Sequence, residues 1–126
     1  MAEVKRAVRV GERLREELAS LLTFDVRDPR VEGVTVTEVE LSADLQLARV
    51  RVRVPGGDDP VRRDALLAGL GSASGILRRE AGRKLALRYT PRLVFVYDEA
   101  PEKRQRIDVL LDEISKDPKS KDEEPK

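Results

Sequence analysis

The most constraining feature of the sequence is a long helical pattern that contains two glycines. Residues 70–80 read LGSASGILRRE, which places Gly71 and Gly75 inside the pattern and then turns basic. Glycine costs up to about 1 kcal/mol in a helix interior, and it tolerates backbone angles that other residues avoid. We therefore expect a sharp kink between two helices, formed by Ser72, Ala73, Ser74 and Gly75.

The segments around this pattern predict the other elements. Apolar residues recur every three or four positions over residues 5–22, which indicates an amphipathic helix. Residues 33–41 and 45–54 predict two strands, and in the second of them apolar residues alternate with three arginines. Residues 92–98 predict a third strand that is apolar on both faces, as is typical of a central or doubly covered strand.

The first strand changes phase along its length. Val34 and Val36 lie in one phase, and Val39 and Leu41 lie in the other, so we expect a bulge near Thr37 or a strand covered on both sides. The two carboxylates on the opposite face predict cross-strand ion pairs; they are Glu38 and Glu40, and the candidate partners are Arg49, Arg51 and Arg53. A free cationic sheet face is the alternative.

The remaining signals complete the domain. Asp59 and Pro60 predict the start of the central helical pattern, with a capping carboxylate and a proline in the first position. Residues 102–114 predict a short amphipathic helix, and residues 115–126 have no apolar residue and are expected to be disordered. The sequence thus predicts an α+β domain over residues 1–114, in the order α-β-β-α-α-β plus a short helix, followed by a charged tail over 115–126.

Composition restricts the chemistry. The chain has no cysteine and no histidine, which removes thiolate chemistry and the commonest general base and metal ligand. Two carboxylate pairs have the charge to hold Mg²⁺ in a nuclease, namely Asp25 with Asp28 and Glu38 with Glu40. Caps, turns and cross-strand pairs account for these acids, so we expect no catalytic residue, no metal and no cofactor.

Hydropathy and the N-terminal residues bear on location. No run approaches the roughly 18 apolar residues of a membrane span, and the charged N-terminus is unlike a secretory signal. We expect a cytoplasmic monomer without a membrane partner.

Basic residues are concentrated in one region. The net charge is only +1, yet residues 72–92 contain six basic residues and one acid, Glu80. Together with a basic face on the first helix, this distribution favours contact with phosphates. The predicted RNA-binding residues are Lys5, Arg6, Arg9, Arg78, Arg79, Arg83, Lys84 and Arg88.

Ordinary surface chemistry is the alternative for these side chains. Arg13 with Glu17 and Glu80 with Lys84 have the four-residue spacing of helical ion pairs. Two tyrosines have rings suited to stacking on bases. Their apolar neighbours instead favour packing in the core or at its rim for both Tyr89 and Tyr97.

Two helices that meet at a glycine-bearing corner between strands are typical of the KH module, in which a GXXG loop clamps a single-stranded backbone. A helix that begins at such a corner points its free N–H groups at a phosphate. Here GSASG has three residues between its glycines and no basic residue in the loop. A KH-type module for other single-stranded RNA or DNA is the alternative function.

With this departure from GXXG, the sequence resembles the ribosome-binding factor A family. Members of that family look like a type II KH domain with an Ala-x-Gly kink, which Ala73, Ser74 and Gly75 would form here. Further blocks agree in order with that family: RVGERLREELASLL, DPRV, VTVTEVELSADLQLARVRV, SGILRREAGRKLALRYTPRLVFVYD and RIDVLLDEI.

The resemblance implies a non-catalytic assembly factor. It implies binding to the free or immature small ribosomal subunit and its RNA, and support of late maturation that includes processing of the RNA 5′ end. It also implies a particular need in the cold and release helped by a GTPase assembly factor.

Overall fold

The computed structural model describes residues 2–99 of the chain. Its elements, in chain order, are α1 (Ala2–Phe24), a 3₁₀ turn (Pro29–Val31), β1 (Thr35–Leu41), β2 (Leu47–Arg53), α2 (Pro60–Lys84) and β3 (Arg92–Tyr97). The helix expected over residues 102–114 and the tail expected over 115–126 lie outside the described residues. Two helices and a three-stranded sheet confirm the α+β class.

The sheet has β2 at its centre. β1 pairs with β2 in the antiparallel direction and β3 pairs with it in the parallel direction. The register shifts between Val36 and Glu38, which confirms the bulge at Thr37. Of the two positions expected for β3, central or doubly covered, the central one is wrong, because the β1–β2 hairpin occupies one side of β2 and the helical crossover returns the chain to the other side.

Both helices contribute to one hydrophobic core on the inward face of the sheet. That face carries Val36, Val50, Val52 and Leu93, and the helices add buried leucines; these are Leu14, Leu18, Leu21 and Leu22 from α1 and Leu66, Leu70 and Leu77 from α2. Full burial of each such side chain stabilises the fold by roughly 1.5–3 kcal/mol. The exposed faces of both helices carry most of their charged residues, together with a few exposed apolar side chains such as Val8 and Ile76.

α2 begins as its sequence predicts. The side chain of Asp59 accepts a hydrogen bond from the Val61 N–H at 3.1 Å, and Pro60 occupies the first helical position. The cap satisfies one of the free N–H groups at the helix start.

The break expected in α2 is wrong. The helix runs without interruption from Pro60 to Lys84, so one helix stands where two are expected. Gly71 and Gly75 lie on its exposed side, with nothing within 4 Å of the position that a Cβ would occupy. The buried residues recur every three or four positions through Ser72, Ala73, Ser74 and Gly75: Leu66, Leu70, Ala73, Leu77 and Ala81. Packing of this continuous stripe outweighs the cost of about 1 kcal/mol for each glycine.

Candidate nucleic-acid interface

α1 presents a row of cations to solvent. Lys5, Arg9 and Arg13 follow one another at four-residue spacing, with Arg6 next to the first, and all four side chains are exposed. Among the side chains of residues 4–99, none of the four has an ion-pair or hydrogen-bond partner. We call these four residues the α1 cationic row. Their positive charge is available to a ligand.

An ion pair between the helices connects this row to the end of α2. Lys84 Nζ lies 3.3 Å from Glu17 Oε1, and Glu17 is one helical turn beyond Arg13. This pair replaces the expected pair of Arg13 with Glu17, because packing of α1 against α2 brings Lys84 to that carboxylate. Lys84, at the end of α2, therefore lies near the Arg13 end of the α1 cationic row.

Arg79 and Arg83 share one carboxylate on the exposed side of α2. Arg83 Nη2 lies 2.8 Å from Glu80 Oε1, and Arg79 Nε lies 3.9 Å from Glu80 Oε2. The hydrogen bond from Arg83 lowers the pKa of Glu80, and the same bond raises the pKa of Arg83. The arginine side chains are 73% and 68% exposed, and exposed pairs contribute at most about 1 kcal/mol. A phosphate can therefore compete with Glu80 for both guanidinium groups.

Arg78 has a structural task. Its Nε donates to the carbonyl oxygen of Pro91 at 3.1 Å, and its Nη2 donates to that of Thr90 at 3.1 Å. These bonds hold the segment that leads into β3 against the side of α2. Among the predicted RNA-binding residues, Arg78 thus differs from its neighbour Arg79, whose guanidinium is committed only to a long ion pair.

Replacement of Arg78 by methionine should therefore destabilise the domain. Methionine keeps the apolar stem and loses both hydrogen bonds to carbonyls, so we expect the free energy of unfolding to fall by roughly 1–2 kcal/mol. Arg79→Met is the matched control and should stay within about 0.5 kcal/mol of the parent. Urea unfolding followed by circular dichroism measures both, and equal stability of the two variants would contradict the structural role.

The loop between α2 and β3 exposes an aromatic ring beside an arginine. The Arg88 guanidinium lies 5.6 Å from the centroid of the Tyr89 ring, and Tyr89 is 76% exposed. The expectation of core or rim packing is wrong for Tyr89, because its loop turns the ring away from the sheet. It is confirmed for Tyr97, whose ring lies 4.6 Å from Arg63 and whose hydroxyl donates to the Val54 carbonyl.

The positive charge on the outward face of the sheet is partly neutralised by two glutamates. Arg51 Nε lies 3.5 Å from Glu38 Oε2 and 3.1 Å from Glu40 Oε1, which confirms the cross-strand ion pairs for that arginine. Arg49 and Arg53 are exposed and have no ion pair within the described part of the chain. The sheet therefore carries a second, smaller group of free cations.

No helix N-terminus faces a phosphate at Gly75. Because α2 is continuous there, the N–H groups of that stretch bond within the helix. Ala73 is buried in the core, and Ser72 Oγ lies 3.5 Å from Arg30 Nη2. These residues shape the helix and do not form the expected corner.

Three of the four paired carboxylates, those of Asp28, Glu38 and Glu40, have structural partners. Asp28 accepts from the Arg30 N–H at 2.9 Å and from its guanidinium at 2.7 Å, and the side-chain bond lowers the pKa of Asp28. Over residues 2–99, no group of three or more acidic side chains is placed to hold a metal ion. Neither helix in that range is long and apolar enough to cross a membrane.

The chain matches the model of a known protein family over most of its length. The model of the family described as ribosome-binding factor A matches residues 6–111 of the chain. The chain belongs to the ribosome-binding factor A family. The match covers most of α1 and all of the sheet and α2, so the cations of both helices except Lys5 lie within the matched residues.

Individual members of the ribosome-binding factor A family resemble the chain in sequence and fold. The Sorangium cellulosum (strain So ce56) protein is 54% identical over 112 residues, which are 88% of this chain and 90% of that protein. A crystal structure of the Thermus thermophilus protein is 26% identical, with a TM-score of 0.64, and the match covers 72% of this chain and 93% of that one.

A second Thermus thermophilus structure comes from a complex. It is a homology model of ribosome-binding factor A fitted into a cryo-EM map of a 30S–RbfA complex. It is 28% identical to this chain, with a TM-score of 0.55, and the match covers 71% of this chain and 92% of that one.

Proposed function

We propose that this protein binds the small ribosomal subunit through its RNA and acts as a non-catalytic assembly factor. The observation that carries the proposal is the relative fitted into the map of a 30S–RbfA complex. Family membership and 28% identity extend that partner to this chain.

The surface that meets the RNA is formed by the α1 cationic row and the exposed cations near the end of α2. Lys and Arg side chains of this kind neutralise phosphates and position a protein without reading base sequence. Of these cations, the proposed phosphate contacts are Lys5, Arg6, Arg9, Arg79, Arg83, Lys84 and Arg88. Arg78 supports them by fixing the loop that follows α2.

The family relationship also supports a proposal about when the protein acts. While bound, it holds a region of the subunit RNA in an immature arrangement, supports late maturation and 5′-end processing, and is most needed in the cold. A GTPase assembly factor promotes its release. The protein acts as a monomer in the cytoplasm.

Co-sedimentation with purified ribosomal particles tests the partner. We expect the protein to travel with isolated small subunits and to remain at the top of the gradient with large subunits. Equally tight binding to free single-stranded oligonucleotides would favour the alternative of a general KH-type module. Failure to travel with any small-subunit preparation, mature or immature, would overturn the proposal.

Removal of the acid beside Arg79 and Arg83 should strengthen binding. Glu80→Gln frees both guanidinium groups from their carboxylate, so we expect an affinity for small subunits roughly threefold to tenfold higher at low salt. Glu32→Gln makes the same charge change at an exposed position between the 3₁₀ turn and β1, and should have little effect. An unchanged affinity for Glu80→Gln would show that these two arginines do not face the RNA.

A further inference from the structure

Tyr89 leaves an aromatic ring in water beside the exposed Arg88. Because the ring is 76% exposed, it lacks the burial that normally stabilises a side chain of this size. The residues on either side do not form an apolar patch with it, because Arg88 is exposed and Thr90 is half-buried. A single exposed ring beside a cation is a poor site for an apolar protein surface.

The loop that carries Tyr89 is held on both sides of the ring. Before it, the Leu87 N–H donates to the Gly82 carbonyl at 2.9 Å. After it, Arg78 holds the carbonyls of Thr90 and Pro91, and Pro91 is fully buried. The backbone is therefore ordered by folding, so a ligand of the ring has little ordering entropy to overcome.

One cation lies over the exposed ring, and two more precede it closely in the chain. Arg88 stacks on it at 5.6 Å, and Arg83 and Lys84 lie in the last turn of α2, just before the loop. Surfaces for single-stranded nucleic acids combine these features: a ring that stacks on a base and positive groups that follow the phosphates. The arrangement fits an unpaired nucleotide better than a base-paired helix, whose bases are already stacked.

We propose that Tyr89 is a stacking site for one unpaired nucleobase of the bound RNA. The base packs on the ring face that Arg88 leaves open, and Arg88 contacts the adjoining phosphate. The proposal rests on the proposed function, and it adds a base contact to a surface that otherwise reads only phosphates.

Intrinsic fluorescence gives a direct test, because the chain has two tyrosines and no tryptophan. In a Tyr97→Phe background, Tyr89 is the sole tyrosine, and the folding of this variant is checked by its melting curve. We expect a single-stranded oligouridylate to quench the emission of Tyr89. A blunt RNA duplex of matched phosphate number should not quench it.

Substitutions at position 89 supply the second measurement. In the otherwise unchanged protein, Tyr89→Phe keeps a stacking ring and should bind small subunits as the parent does, whereas Tyr89→Leu should bind them roughly tenfold more weakly. Absence of quenching by the oligouridylate would overturn the stacking site. Weaker subunit binding by Tyr89→Leu without quenching would assign the ring to a protein neighbour instead. Co-sedimentation of the parent protein decides separately on the proposed function.

Discussion

Simultaneous replacement of Lys5, Arg6 and Arg9 by glutamate should weaken binding to small ribosomal subunits by on the order of 100-fold at moderate salt. The three side chains are exposed and lack ion pairs in the part of the chain that the structure describes. Their reversal therefore changes attraction to phosphates into repulsion. Stability should change little, since all three positions are exposed.

Salt dependence separates phosphate contact from a general loss of binding. Each phosphate contact contributes about one unit to the slope of log affinity against log salt, so the triple variant should lose roughly three units of slope. Arg49, Arg53 and Arg92 make a matched control, because their replacement by glutamate gives the same charge change on exposed residues of the sheet. That control should bind within about threefold of the parent. If the control lost more affinity than the α1 variant does, the RNA would bind the sheet face and not α1.

The cations of the candidate site were predictable only where exposure follows from local periodicity. Lys5, Arg6 and Arg9 lie off the apolar stripe of α1, and the structure leaves them free, as that pattern predicts. The carbonyl partners of Arg78 belong to a loop twelve and thirteen residues further along the chain. The pair of Lys84 with Glu17 crosses between helices. Neither contact leaves a signal in a local pattern.

The fold shows the same division between local and distant causes. Alternation predicted both strands of the hairpin, and the change of phase near Thr37 predicted the bulge, because both are properties of one strand and its immediate partner. The helical break was wrong because its only basis was the local cost of glycine. The packing that keeps α2 continuous comes from α1, the sheet and the 3₁₀ turn, which are distant in sequence.

Replacement by alanine should accordingly change the free energy of unfolding in opposite directions at two glycines of α2. A Cβ on Gly82 would overlap Thr90 Oγ1 and lie 3.3 Å from the Cβ and Cγ2 of Thr90. Thr90 has little freedom to move, because Arg78 holds its carbonyl and the next residue is buried. Gly82→Ala should therefore lower the free energy of unfolding by roughly 1–3 kcal/mol.

Gly75→Ala should instead raise the free energy of unfolding by roughly 0.5–1 kcal/mol, since the added methyl meets nothing within 4 Å and alanine favours the helix. Urea unfolding of both variants, followed by the helical circular dichroism signal, measures the difference in sign. If Gly75→Ala destabilised the domain as Gly82→Ala does, the backbone at Gly75 would need a geometry that only glycine allows. The local interpretation of a kink would then be right, and the continuous helix would be wrong.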